Sequence, residues 1–138
     1  MPDDPVPDDD YTLNVAIGKP EIADIDPQAS GLVRILVPLE PEPTNEWLQV
    51  FAQGPPGVSY SASMHPPQIV ERNEVMLRCP DNEIERYVTN LRERVEGTNS
   101  YYNREIAPEL QRRHEAREVQ QVEDERRLDE ARKRLEDL

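Results

Sequence analysis

The sequence predicts an α+β protein: a small, mainly antiparallel sheet covered by two helices, in the order ββαβββα, followed by a long charged helix. Thirteen of the 14 prolines precede residue 81. Before that point apolar and polar residues alternate, which is the strand period. After it, apolar residues recur at helical spacing. A sheet followed by helices is typical of two-layer domains.

Five strands are expected in the first 80 residues. Residues 11–17 alternate apolar and polar side chains until Gly18 and Pro20 interrupt them. Residues 32–39 are the most apolar stretch and are rich in β-branched side chains, so they predict a central strand. Three further strands are predicted over residues 58–64, 68–71 and 74–79, the last two joined as a hairpin.

Residues 44–53 predict a short amphipathic helix that packs Trp47 and Phe51 on the sheet. Apolar side chains fill one arc of a helical projection and polar ones the opposite arc. Thr44 offers an N-cap, and Gly54 with the following prolines ends the helix.

The part after residue 81 predicts helices. Apolar residues follow one another at steps of four, three and four: Ile84, Val88, Leu91 and Val95. At Gly97 the helix either breaks or continues. Pro108 removes a backbone donor, so it is expected to kink or restart the helix.

Three regions follow from this division. Residues 1–10 are predicted to be a disordered acidic tail, because five aspartates and three prolines leave little to bury. Residues 11–107 are the predicted α+β domain. Residues 108–138 form an extended charged helix, either a coiled coil or a linker to a further domain. A reading frame that continues past Leu138 would make this chain the N-terminal part of a larger protein.

The charged helix carries an apolar seam that predicts self-association. Its members are Val119, Val122, Leu128, Ala131, Leu135 and Leu138. The last four follow a heptad, but the gap from Val122 to Leu128 breaks the register. Tyr101 and Tyr102 are further candidates for partner contact, with packing on the sheet as the alternative.

Charge and composition argue against several classes of partner. Sixteen basic and 29 acidic side chains give a net charge of −13, which repels nucleic acid and anionic membranes. We expect no affinity for duplex DNA at physiological salt and no membrane association. One cysteine, Cys79, excludes an internal disulfide, so a reducing cytoplasm is the predicted location.

No catalytic, cofactor or metal motif stands out, and no small-molecule substrate is identifiable. His65 and His114 lie far apart in the sequence, and neither belongs to a Cys/His cluster. The glycines are scattered and match no phosphate-binding loop. Cys79, beside a proline at a strand end, reads as a small buried hydrophobe. No cofactor, metal ligand or catalytic residue is therefore predicted.

The sequence favours a non-enzymatic protein–protein interaction or oligomerisation module whose partner is a second copy of itself, another protein, or both. The alternative is an acidic decoy that mimics nucleic acid and occupies a basic cleft of a DNA- or RNA-processing protein. The net charge supports a decoy, whereas the bases interleaved with the C-terminal acids oppose it. An enzyme whose site is built from scattered residues is a third, less favoured hypothesis.

Overall fold

A computed structural model describes residues 11–29, 31–56 and 64–138 and has the α+β fold predicted from the sequence. The strands are β1 (Ala16–Ile17), β2 (Glu21–Ile25), β3 (Leu32–Glu40), β4 (Gln68–Val70) and β5 (Glu74–Pro80). The helices are α1 (Asn45–Gln53), α2 (Ile84–Tyr101) and α3 (Ala107–Glu136). The predicted acidic tail and most of the strand predicted over 58–64 lie outside the described residues.

β3 and β5 form the centre of the antiparallel sheet. β1 and β2 both pair with β3 along one edge, and β4 pairs with β5 at the other. The opposed pairs Ile35/Leu77 and Val37/Val75 are buried beneath the helices. Alternate residues of both strands therefore build the core, as the period of two requires. The predicted central strand and the predicted hairpin are both confirmed.

β2 was not predicted from the sequence. Its register against β3 shifts between Ile22 and Asp24, and all five of its residues are exposed. A bulge of this kind inserts one residue and disrupts strict alternation. The pattern that identifies a strand is therefore missing from this segment.

Helix α1 forms as predicted. The Thr44 side chain caps it by accepting a hydrogen bond from the backbone N–H of Trp47 at 3.2 Å. Gly54 ends it with a φ of 93°, in the left-handed region that favours glycine. Trp47 and Phe51 are buried against the sheet, and their rings stack with centroids 5.5 Å apart.

The polypeptide stays helical from α2 to α3 through both predicted break points. α2 crosses Gly97, because burial of its neighbours Val95 and Thr98 outweighs glycine's cost of about 1 kcal/mol. A π-helical turn, Tyr102–Ile106, lies immediately before α3. In an unbroken α-helix the ring of Pro108 would meet a carbonyl four residues earlier. The wider turn accommodates the ring, so Pro108 lies in the first turn of α3 and the chain stays helical there.

The first two turns of α3 belong to the domain, and the remainder leaves it. Leu110 packs against the core, and the ring of His114 lies 5.9 Å from that of Tyr11. The boundary predicted at residue 107 therefore falls inside the packed region. From residue 115 onward every side chain is exposed.

Candidate interaction surface on the C-terminal helix

The predicted seam residues all lie on the exposed part of α3 or just past its end. The side chains are 71% exposed for Val119, 66% for Val122, 54% for Leu128 and 70% for Leu135. Among the described residues, the only other large hydrophobics this exposed are Ile22 and Ile25 on β2. Exposed apolar side chains on one element are typical of an interaction site.

These residues do not form a single seam. Val119 and Leu128 are nine residues apart on one continuous helix, which is about two and a half turns. They therefore lie on opposite faces. Leu128, Ala131 and Leu135, with Leu138 two residues past the helix end, fall within an arc of about 80° and are called the leucine stripe. Val119 and Val122, called the valine pair, lie on the other face among charged residues.

The leucine stripe has the same helical phase as Leu110, which packs against the domain at the start of α3. Leu128 follows Leu110 by 18 residues, which is about five full turns. Leu110 and Ile106 are half-buried and pack against the core. On this face four polar residues separate the packed start of α3 from the leucine stripe: His114, Arg117, Gln121 and Asp124.

A groove of about 320 Å³ lies between α1 and the stretch that runs from the end of α2 to the start of α3. It is called the α1–α3 groove, and Leu110 and Ile106 are among the residues that line it. Val50 and Tyr101 complete its apolar surface. Its polar lining is Glu46, Gln49, Gln53, Glu105, Glu109 and Arg113. Because Glu105 pairs with Arg104, and Glu109 pairs with Arg112 and Arg113, most of the charges at the groove are already paired.

No family model, curated protein or solved structure matches this chain.

The two tyrosines differ sharply in their surroundings. Tyr102 is buried in the core, where its hydroxyl oxygen accepts a hydrogen bond from the Thr44 hydroxyl at 3.2 Å. Its assignment to a partner surface is corrected, because a buried side chain cannot contact a partner. Tyr101 is half-buried in the α1–α3 groove, with the Arg104 guanidinium 5.7 Å from its ring centroid.

The groups able to carry chemistry are dispersed. Within the described residues no three His, Cys, Asp or Glu side chains come together as a metal site. Cys79 is fully buried, and burial, with Glu83 and Asp81 nearby, raises the pKa of its thiol. A raised pKa keeps the thiol protonated and poorly nucleophilic. No described helix is long and apolar enough to cross a membrane.

Asn99 joins three parts of the domain in a way that the sequence did not reveal. Its Oδ1 accepts from the backbone N–H of Val15 at 3.0 Å and from Trp47 Nε1 at 2.9 Å. Its Nδ2 donates to the Val15 carbonyl at 2.8 Å. One turn later, Asn103 Oδ1 accepts from the Leu13 N–H at 2.7 Å. Asparagine side chains of α2 and the π-helical turn thus satisfy backbone groups of the segment before β1.

Arg94 stabilises the end of α1 beside the groove. Its Nε donates to the Phe51 carbonyl at 2.9 Å and its Nη2 to the Ala52 carbonyl at 3.2 Å. The guanidinium lies 5.0 Å from the Phe51 ring centroid. A cation there suits the negative end of the helix dipole and satisfies carbonyls that lack helical partners. Arg94 therefore has a structural role, positioning the wall that α1 gives to the groove.

Two ion pairs on the sheet predict how stability depends on pH. Asp26 accepts from the Gln28 N–H and from Arg78, and these bonds lower its pKa. Arg34 lowers the pKa of Asp24 in the same way. Both carboxylates thus bind protons less readily in the folded protein than in the unfolded chain.

We expect the urea midpoint of unfolding to be constant near neutral pH and to fall as the pH drops below about 4, the ordinary aspartate range. The stabilisation is present above the unfolded-state pKa and is lost as the pH falls through the lowered folded-state value. Asp26→Asn should reduce this fall of the urea midpoint at acid pH, which is called the acid limb. Gln28→Ala is the control, because it keeps the Asp26 carboxylate and its bond to Arg78. An Asp26→Asn variant with an unchanged acid limb would contradict the role given to Asp26.

Proposed function

We propose that this chain is a non-enzymatic self-association module that assembles through the leucine stripe of α3. The observation that carries the proposal is the leucine stripe itself, which is exposed and has no cover in the described part of the chain. Helices in proteins gain most of their stability from packing an apolar face against another part of the structure. Pairing with a second helix supplies that packing.

The charge distribution supports a second copy of the chain as the partner. Residues 109–138 hold ten acidic and eight basic side chains, net −2, which leaves −11 for residues 1–108. Two domains of that charge repel each other, whereas two nearly neutral helices can approach. Assembly through α3 also keeps the acidic domains apart.

The ion pairs along α3 favour self-association over the acidic decoy. Arg126 contacts both Glu123 and Glu130, and further pairs join Arg132 to Asp129 and Arg112 to Glu109. A mimic of nucleic acid needs an uninterrupted negative stripe, and these arginines interrupt it. The proposed location is the reducing cytoplasm, since the single cysteine is a buried thiol.

Light scattering coupled to gel filtration tests the proposal. At tens of micromolar we expect a mass at least twice 15.9 kDa for the unaltered chain. The double variant Leu128→Glu/Leu135→Glu should run as a monomer, because two charges then lie in the apolar contact.

The valine pair provides a matched control. Val119→Glu/Val122→Glu adds the same charge to equally exposed positions on the opposite face and should leave the oligomer intact. Far-UV circular dichroism should show equal helix content for both variants. If the unaltered chain is a monomer, self-association is refuted. If only the valine variant dissociates the oligomer, the interface lies on the face of the valine pair and not on the leucine stripe.

A further inference from the structure

We propose that two copies of this chain pair antiparallel, leucine stripe against leucine stripe, so that the two domains lie at opposite ends of the paired α3 helices. This inference rests on the proposed function and adds the direction of the partner. Leu128 and Ala131 follow Leu110 and Arg113 by 18 residues each, which is about five full turns of α-helix. The stripe therefore faces the same way as Leu110 and Arg113 at the start of α3.

At the start of α3 this direction is occupied by the chain itself. Leu110 and Arg113 line the α1–α3 groove, and α1 borders the groove on its other side. A second helix that followed the same face of α3 toward its start would therefore meet α1. The open space in front of the stripe ends where the domain begins.

A parallel pair would make the two domains overlap. Helices that pack through a heptad stripe lie about 8–10 Å apart and cross at about 20°. Leu110 lies about 35 Å from the centre of the stripe, so the two α3 axes would separate there to only about 20 Å. Both α1 helices would lie between those axes. Two helices of about 10 Å diameter need about 30 Å between the α3 axes.

An antiparallel pair avoids this overlap. With the two-fold axis at the centre of the stripe, beside Lys133, the end of the partner's α3 at Glu136 lies next to Glu130 of the first chain. The described part of the partner's helix therefore stops about 25 Å short of Arg113. The contact is isologous and closed, as in most soluble dimers.

The side chains of the stripe also fit better in the antiparallel direction. Around the same two-fold axis, Ala131 of each chain lies opposite Leu135 of the other, so a small side chain faces a large one. A parallel pair in register would set the two Ala131 side chains against each other and leave a gap between the helices. The stripe is therefore complementary to a second copy of itself when the two run in opposite directions.

The net charge of the domains favours the same arrangement. Residues 1–108 carry −11, so two domains repel each other at short range. Antiparallel pairing places the two Leu110 side chains about 70 Å apart, many times the Debye length of about 8 Å at physiological salt. Screening then removes the repulsion, whereas a parallel pair would keep the domains side by side.

Distances between spin labels on α3 test the direction. Glu115→Cys and Val122→Cys introduce thiols at exposed positions on the face opposite the leucine stripe. Cys79 has 0% of its surface exposed, so the introduced thiols take the label. In a full-length antiparallel dimer the distance between the two labels falls by about 3 Å for each residue nearer to the stripe, which is twice the helical rise. Double electron–electron resonance should therefore give a distance about 20 Å longer for the Glu115→Cys dimer than for the Val122→Cys dimer.

The matched control adds Leu128→Glu and Leu135→Glu to each labelled chain, which should abolish the dipolar signal. In a parallel dimer the two labelled positions would give equal distances, and that result would overturn the antiparallel pairing while leaving self-association standing. If the unaltered chain is a monomer by light scattering, the proposed function itself is refuted. The two failures are therefore distinguishable.

Discussion

Replacing Trp47 by alanine is expected to destabilise the protein by about 3–5 kcal/mol, the usual cost of removing a large buried aromatic side chain. The indole has 0% of its surface exposed, stacks on Phe51 and donates through Nε1 to Asn99. Domains are typically stable by only about 5–15 kcal/mol. Much of the Trp47→Ala protein should therefore be unfolded or insoluble.

Urea unfolding followed by circular dichroism measures this effect. Trp47→Phe should lose less stability, because an aromatic ring remains and only the indole volume and its hydrogen bond are removed. Gln49→Ala, an exposed position on the same helix, should stay within about 0.5 kcal/mol of the unaltered chain. A red-shifted, freely quenched native tryptophan, with Trp47→Ala unfolding at the same midpoint as the unaltered chain, would contradict the burial.

Asn99→Leu should have the next largest effect on folding. The change leaves the Val15 N–H, the Val15 carbonyl and the Trp47 indole N–H without their partner. Each buried polar group left unsatisfied costs about 1–3 kcal/mol, so we expect a total loss of at least about 3 kcal/mol. The loss should be accompanied by release of the segment before β1 from α2.

Two measurements separate this local effect from a general one. Hydrogen exchange at the Val15 amide should accelerate by more than the fall in global stability explains. Ser100→Leu, one residue further along α2 and exposed, also replaces a polar side chain by leucine, but removes no hydrogen bond among the described residues. Equal stability of Asn99→Leu and Ser100→Leu would show that Asn99 does not join the three segments.

Most of the regular structure could be predicted from the sequence, because its signals are local. Helix α1 has its Thr44 cap, its apolar face and its Gly54 terminator within eleven residues. β3 and the β4–β5 hairpin were recognised from apolar runs and a polar connection. β2 could not be recognised, because its bulge removes alternation and its partner strand lies across a turn.

The contacts that build the groove could not be predicted, because they join residues distant in sequence. Asn99 meets Trp47 of α1 across 52 residues and Arg94 meets Phe51 across 43. Polar residues spaced along a helix give no indication of which backbone they will satisfy. The separation of Tyr101 from Tyr102 likewise depends on α2 and the following π-helical turn, which bury one ring and leave the other at the groove.

The sequence by itself determined the charge balance of α3, the spacing of its apolar residues and the amphipathic character of α1. Only the tertiary structure decided which of those residues share a surface. Because α3 is one regular helix from Ala107 to Glu136, the valine pair and the leucine stripe fall on opposite faces. Packing of α1 beside that helix then places a groove next to Leu110, on the side of the leucine stripe.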